Sequence, residues 1–532
     1  MRSLVVADRV RTASGLVGDA VLIENGKVAA VGDARSLRDE RTEEVRHPGV
    51  IIPGLVDAHF HPFGFALEET GLRLGGAADF NELAGRITVA ASELPPGTPV
   101  LGRGLNDETI AERRLPTRHD LDKIVSDRPV LLNRVCGHLA VASTAALEAA
   151  GVSPSTNDPV GGSFDRDASG MPTGILRETA VAVVTQAIGD LAPVITAGQV
   201  LAALGRLPAL GLTGLGAIVT SGTALWCGAG DEVSTLAEMA PDLPVRMSVL
   251  VSAESPDALN DAASSLTGAG GRLSFLGMKD FADGSLGAHT AAMRRPFADS
   301  PAESGTLRID DLTESLALRA LDLGGSVAIH AIGDRAVGRV LDLFEELLDG
   351  GADPARLRME HASITLPADI QRFAALGATA SIQPAFLPSE TGWLERRVGR
   401  DRMRWTYAFG SLAAAGVPLA GGSDCPVETP EPLRGMAAAR HRAGIVPEEA
   451  LSPDAALALF TEGASRASGL PPPLQPGSPA DMVVLDSDPV ETESLLVEQI
   501  GVRATYMDGV EVWRHPDHRV TERSGLPSPP PR

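Results

Sequence analysis

Eight short apolar runs through the middle of the chain limit its fold more than any other feature. They lie at 54–61, 213–219, 245–252, 275–281, 326–330, 358–361, 378–383 and 417–423. Between them runs helical periodicity, as at 312–323 and 336–348. Strands that alternate with helices give parallel βα units, and eight strands are the number that closes a barrel. One stretch, 73–185, breaks the alternation: it is Gly- and Pro-rich, with helices and strands of its own. It is read as an α+β domain inserted after the first strand. Both ends are β-rich. Runs at 3–6, 19–24 and 27–31 surround the hairpin signal Asn25-Gly26, and runs at 481–485, 504–507 and 510–513 surround Asp508-Gly509. The expected fold is α/β: a (β/α)8 TIM-like barrel from 54–72 and 186–470, the inserted domain at 73–185, and a small β-sandwich from 1–53 and 471–521. The Pro- and Ser-rich end, 522–532, reads as a disordered tail.

A chain of 532 residues with 44% hydrophobic content has material for a large core and accessory domains. Its net charge of -23 repels phosphate backbones, so no nucleic-acid partner is expected. No uninterrupted apolar run is long enough to span a membrane, and residues 1–13 do not read as a signal peptide. Cys136, Cys227 and Cys425 are far apart and show no metal-type spacing. A disulfide framework is not expected, and a reducing, cytoplasmic setting fits.

Chemistry gathers at the predicted strand ends, where barrel enzymes carry their sites. The first run ends Asp57-Ala-His59-Phe-His61. Residues i and i+2 of a strand point to the same side, so both imidazoles can face the barrel mouth. The fourth run reaches Lys279-Asp280-Phe-Ala-Asp283, the fifth ends at His330, the sixth at His361 and the eighth at Asp424. A single strand-end His is more often a hydrogen-bonded core residue than a ligand. Four of the eleven histidines placed this way, with an Asp, form a ligand set suited to zinc and related divalent ions. Only three of the 46 basic residues are lysines: Lys27, Lys123 and Lys279. Where charge alone suffices the chain uses Arg, so a surviving lysine such as Lys279, at a strand end, is a candidate for a role that Arg cannot fill.

The order HxH, Lys, His, His, Asp on successive strands resembles the metal-dependent amidohydrolase superfamily. The stretches Pro53-Gly-Leu-Val-Asp-Ala-His59-Phe-His61, Lys279–Ala291, His330-Ala-Ile-Gly-Asp-Arg-Ala336, Glu360-His361 and Ser423-Asp424-Cys-Pro426 are similar to the branch containing N-substituted formamide deformylase. Pro159-Val-Gly-Gly162, Pro172-Thr-Gly174 and 477–489 extend the resemblance over nearly the whole chain. It implies that His59, His61 and Asp424 bind a more buried metal, that His330 and His361 bind a second, and that Lys279 is carboxylated to a bridging carbamate. One or two divalent ions, zinc first, are the implied cofactor. Asp424 is the implied general acid and base for hydroxide attack on a carbonyl carbon. The implied reaction is hydrolysis of a non-peptide carbon–nitrogen bond, of amide or N-formyl type, in a small molecule. Ring deamination, cyclic amide cleavage, decarboxylation and a non-catalytic scaffold stay open as alternatives. A homodimer is the family expectation.

Three departures touch loops and leave the ligands intact. Ser143 stands where the branch has Asn, His289 where Arg is common, and 102–108 replaces a Trp-rich stretch. His138, after an apolar run at 129–135, and His289 are the candidate substrate-binding residues, with loops at 285–294, 383–387 and 390–393 as pocket walls. Asp283 and Asp334 are expected either to support the ligands from behind or to cap loops by accepting backbone N–H groups. Cys425 reads as a small packed residue, because no base accompanies it.

Overall fold

The structure, a computed structural model, describes residues 2–39, 42–135, 137–159, 162–189, 195–221, 231–518 and 521–523. Eight parallel strands form the central sheet: β1 (Leu55–Phe60), β2 (Leu212–Thr220), β3 (Arg246–Ser252), β4 (Leu273–Phe281), β5 (Ser326–Ala331), β6 (Leu357–His361), β7 (Thr379–Ile382) and β8 (Leu419–Gly421). Neighbours in sequence are neighbours in space, and β1 pairs with β2 in register Leu55↔Leu212. The ring closes just past β8, where Asp424 N–H donates to His59 O at 2.8 Å and His61 N–H to Cys425 O at 2.9 Å. The TIM-like barrel expected from the sequence is therefore present, and the closing bonds run through candidate site residues.

Local sequence explains the elements. All nine residues of β2 are buried, as in a parallel strand covered on both faces. The helix Asp334–Asp349 turns Val337, Val340, Leu341, Phe344 and Leu347 onto one buried stripe, with Arg335, Asp342, Glu346 and Asp349 exposed. The helix Asp311–Asp322 starts where the Asp310 side chain accepts from Leu312 and Thr313 N–H.

The inserted segment forms its own six-stranded sheet, running Gly162–Arg166, Pro172–Glu178, Leu139–Ala142, Val130–Arg134, Val100–Leu105 and Leu72–Arg73 in spatial order. Apolar residues cover both faces. Leu83 and Ile87 pack with Leu132 and Val141 on one, and Val184 and Ile188 with Leu131 and Leu176 on the other. This sheet starts at Leu72, and its covering helix runs to Gly189. Both bounds lie outside the expected 73–185, because strand pairing at Leu72 and burial of Ile188 hold them there.

Strands from both ends of the chain join one nine-stranded sheet. Val5, Val21 and Val28 share an apolar cluster with Met482, Ala504 and Tyr506, so strands from both ends build one core, while Leu4, Val6, Ala20 and Leu22 form a second cluster with Ala34. Both hairpin signals sit in left-handed turns: Asn25 and Gly26 have φ of 51° and 79°, Asp508 and Gly509 of 50° and 72°. Thr521–Arg523 pairs antiparallel with Glu44–Arg46. The strand thus takes in Glu522 and Arg523, which composition alone assigned to a tail; 524–532 lie outside the described residues.

Candidate metal centre and its cavity

The strand ends bring the histidines into one row. Ring centroids lie 5.5 Å apart for His61 and His59, 4.9 Å for His59 and His361, 4.5 Å for His361 and His330, and 5.5 Å for His330 and His138. The ligand atoms of His59, His361 and Asp424 all lie within 4.8 Å of one another. Asp424 Oδ1 is 3.1 Å from Nε2 of both His59 and His61.

Hydrogen bonds fix which ring nitrogen each histidine offers. His59 Nδ1 is 2.6 Å from Glu360 Oε2, and His361 Nδ1 is 2.7 Å from Gln383 Oε1. Both rings therefore present Nε2 to the centre. His330 donates from Nε2 to Gly284 O at 2.9 Å, which leaves Nδ1 as its ligand atom. Glu360 is fully buried and is held in turn by Arg358 Nε at 2.6 Å. His361 and Asp424 have φ of 70° and 57°, a left-handed backbone rare outside glycine. Such strain concentrates where a site dictates side-chain direction.

Electrostatics favour the ligand forms of His330, His361 and Asp424, whereas the carboxylates beside His59 favour its protonated ring. Burial, and then neighbouring cations, hold His330 and His361 well below the ordinary imidazole range. On His59 burial acts downward, but Asp424 and Glu360 outweigh it and raise the ring to about 9. Burial acts upward on Asp424 and is overcome by His59 and His61, which hold the carboxyl well below its usual range. Lys279 is 1% exposed. Burial lowers its amine to about 8 against the pull of Glu360 and Asp424. Among the described residues no carboxylate forms an ion pair with it; Nζ meets Asp280 O at 3.3 Å and the Phe281 ring at 3.4 Å. Imidazoles, of which His330 and His361 are held neutral, a carboxylate and a buried lysine close by are a donor set that fits a divalent cation, whose charge would displace the proton that the carboxylates favour on His59.

The row opens into a cavity at the C-terminal ends of the strands. The insertion contributes Arg103, Asn106, Asn133 and His138, and barrel loops contribute Ser285, Phe386, Glu390, Trp393, Tyr407 and Glu428. Arg397 clasps these walls together, bonding Asp299 at 2.8 Å and Glu108 of the insertion at 3.3 Å, with its guanidinium 5.2 Å from the Trp393 ring centre.

Of the sequence candidates, His59, His61, His330, His361, Asp424 and His138 line the cavity. Lys279 does not line it, but is buried with Nζ 3.4 Å from the ring centre of Phe281, which does. His289 does not line it: φ of 59° carries its ring to Asp299 at 3.1 Å, edge-on to Phe297. Asp283 accepts N–H groups from Ala292, Ile332 and Gly333, and Asp334 accepts from Arg294. Cys425 is buried, and burial pushes its thiol well up, as suits packing. Cys136 and Cys227 lie outside the described residues. Sequence reading gave no role to Glu360 or Glu178, and placed Gln383 only at the start of a pocket-wall loop. For Glu360 a signal existed, since Arg358 and Glu360 share one face of an apolar buried strand and such charges must pair.

The comparisons agree with this geometry. A family model described as the amidohydrolase family matches residues 49–513. The N-substituted formamide deformylase of Arthrobacter pascens is 30% identical over 96% of this chain and 98% of its own. The protein LONG AFTER FAR-RED 3 of Arabidopsis thaliana is 31% identical over 93% and 88%. Among solved structures, an uncharacterized metal-dependent hydrolase from Pyrococcus horikoshii OT3 superposes with a TM-score of 0.71 at 26% identity, over 93% of this chain and 99% of that one. Barrel, histidine row and near full-length matches converge: the chain belongs to the amidohydrolase family and is a metal-dependent hydrolase.

Proposed function

We propose that this site hydrolyses a non-peptide carbon–nitrogen bond, of amide or N-formyl type, in a small molecule. The observation that carries the reading is the convergence of His59, His361 and Asp424 ligand atoms within 4.8 Å, beside a buried Lys279 with no ion pair among the described residues. His59, His61 and Asp424 would hold one divalent ion, Zn2+ by donor type, and His330 and His361 a second. A protonated lysine buried without a counterion is costly, whereas the Lys279 amine, on adding carbon dioxide and losing a proton, would supply an anionic carbamate oxygen as a ligand. When bound, such an ion supplies Lewis acidity and brings the ionisation of water toward neutral pH. Asp424 takes the proton of the attacking water and passes it to the leaving nitrogen. Glu360 and Gln383 keep the rings of His59 and His361 oriented throughout. His138, on the cavity wall, contacts the substrate. The named activity of the Arthrobacter relative supports the N-formyl choice.

The test couples metal analysis of the purified protein to a panel of N-formyl, linear amide, cyclic amide, aminated-ring and aromatic acid substrates, scored for amine, ammonia and carbon dioxide. Amine release from N-formyl or linear amide substrates, lost on chelation and restored by zinc, is the expected result. Ammonia or carbon dioxide as the main product, or protein that stays metal-free after supplementation, overturns it.

A further inference from the structure

Glu178 ends the insertion strand Pro172–Glu178 and is 8% exposed. It grips His138 twice. Its backbone N–H donates to His138 O at 2.9 Å, and its Oε2 lies 3.0 Å from His138 Nδ1. From the barrel side Arg308 brings a guanidinium to the same Oε2 at 3.2 Å. The preceding residue, Arg177, donates to Ala288 O at 2.8 Å and so ties the strand end to the loop after β4. Glu178 itself has φ of 52°, a conformation that an L residue adopts only when its surroundings compel it. A Cβ on Gly284 would lie 2.4 Å from Glu178 Oε1, so the carboxylate is wedged against the turn whose carbonyl orients His330.

A carboxylate that accepts from Nδ1 fixes a neutral imidazole as the Nδ1–H tautomer and makes Nε2 its basic nitrogen. We propose that Glu178 is a positioning residue: it holds His138 in this tautomer at the end of the histidine row, so that Nε2 accepts a hydrogen bond from the N–H of a secondary amide substrate. The insertion then selects for substrates that carry that N–H. Only this last step rests on the amide reading above.

Two measurements on the full chain, zinc-supplemented, test it. Nitrogen-15 spectra of histidine-labelled protein, with the His138 signals assigned by their loss in His138→Gln, report the tautomer without any substrate. The Nδ1–H form is expected in wild type, a tautomer mixture in Glu178→Ala, and recovery in Glu178→Gln, whose carbonyl still accepts. In kinetics, Glu178→Ala is expected to raise KM for secondary amides about tenfold, the scale of one lost hydrogen bond, with kcat and zinc content nearly unchanged. Tertiary amides, lacking the N–H, should show no such rise, and Glu178→Gln should restore KM. An unchanged tautomer in Glu178→Ala, or loss of zinc and kcat in step with an unchanged KM, overturns the proposal. If Glu178→Ala does not fold, His138→Leu decides the matter: wild-type KM in that variant, which has no acceptor, also overturns it. Failure of every amide in the panel, with the tautomer response intact, sinks the reaction reading and the substrate step but leaves the positioning role standing.

Discussion

His59 on β1 and Glu360 on β6 meet across the barrel interior, Nδ1 to Oε2 at 2.6 Å, and Arg358 closes the chain of contacts. A carboxylate behind a ligand histidine fixes its tautomer and raises its basicity, and losing such a partner typically lowers metal affinity about 10- to 100-fold. Glu360→Gln keeps the volume and removes the charge. Zinc titration by equilibrium dialysis should show a loss of that size in a protein with unchanged circular dichroism. Wild-type affinity would remove Glu360 from the site's working parts.

Asp424 touches both His59 and His61, so the ligand and proton-carrier roles must be separated. Asp424→Asn keeps an oxygen donor but cannot carry a proton. The expected outcome is retained zinc with kcat lowered about 10²- to 10⁴-fold. A variant with near-normal kcat refutes the proton-carrier role. Lys279→Ala and Lys279→Arg should both lower zinc content, because neither can form a carbamate. Carbon-13 bicarbonate should label wild type and neither variant.

The barrel was legible because strand and helix periods are local properties, and the HxH pair because alternation along one strand is local too. Lys279 drew notice through composition. Glu360 did not, because alternation tells which side a residue faces but not which distant strand it meets. The positive φ of His361 and Asp424 is equally hidden, since non-glycine residues carry no local mark of a left-handed backbone. His289 shows the converse. A loop position read as facing substrate turns instead toward Asp299.

Glu390 lines the cavity and accepts a hydrogen bond from Tyr407 Oη at 2.7 Å. Burial, aided by Glu428 and opposed by Tyr407, raises its carboxyl from 4.5 to about 8. The folded chain therefore keeps a proton that the unfolded chain releases between those values, and stability falls as pH rises through that window. Glu390→Gln removes this term. The variant should match wild type near pH 4.5 and exceed it by about 1–2 kcal/mol at pH 8, a figure discounted for the side chain's opening to the cavity. Urea midpoints across the range measure it. Parallel pH curves for the two proteins would show that Glu390 does not titrate this way.

Gly422 sits where the segment after β8 passes β1, and its N–H bonds Ile382 O at 3.0 Å. A Cβ there would lie 2.7 Å from His59 N and 2.8 Å from His59 Cβ. Neither atom can move aside without shifting the ligand strand, so the closing bonds between His59, His61, Asp424 and Cys425 must lengthen. Gly422→Ala is expected to destabilise by about 1–3 kcal/mol through overpacking and to weaken zinc binding at the same time. Gly268, in the helix Pro256–Ala269, would meet nothing within 4 Å of an added Cβ and serves as the contrast. Gly268→Ala should leave zinc affinity alone and add about 0.4–1 kcal/mol through the unfolded state. Thermal melts with and without zinc separate the cases. If Gly422→Ala melts and binds zinc like wild type, barrel closure and the metal centre are not coupled at this contact.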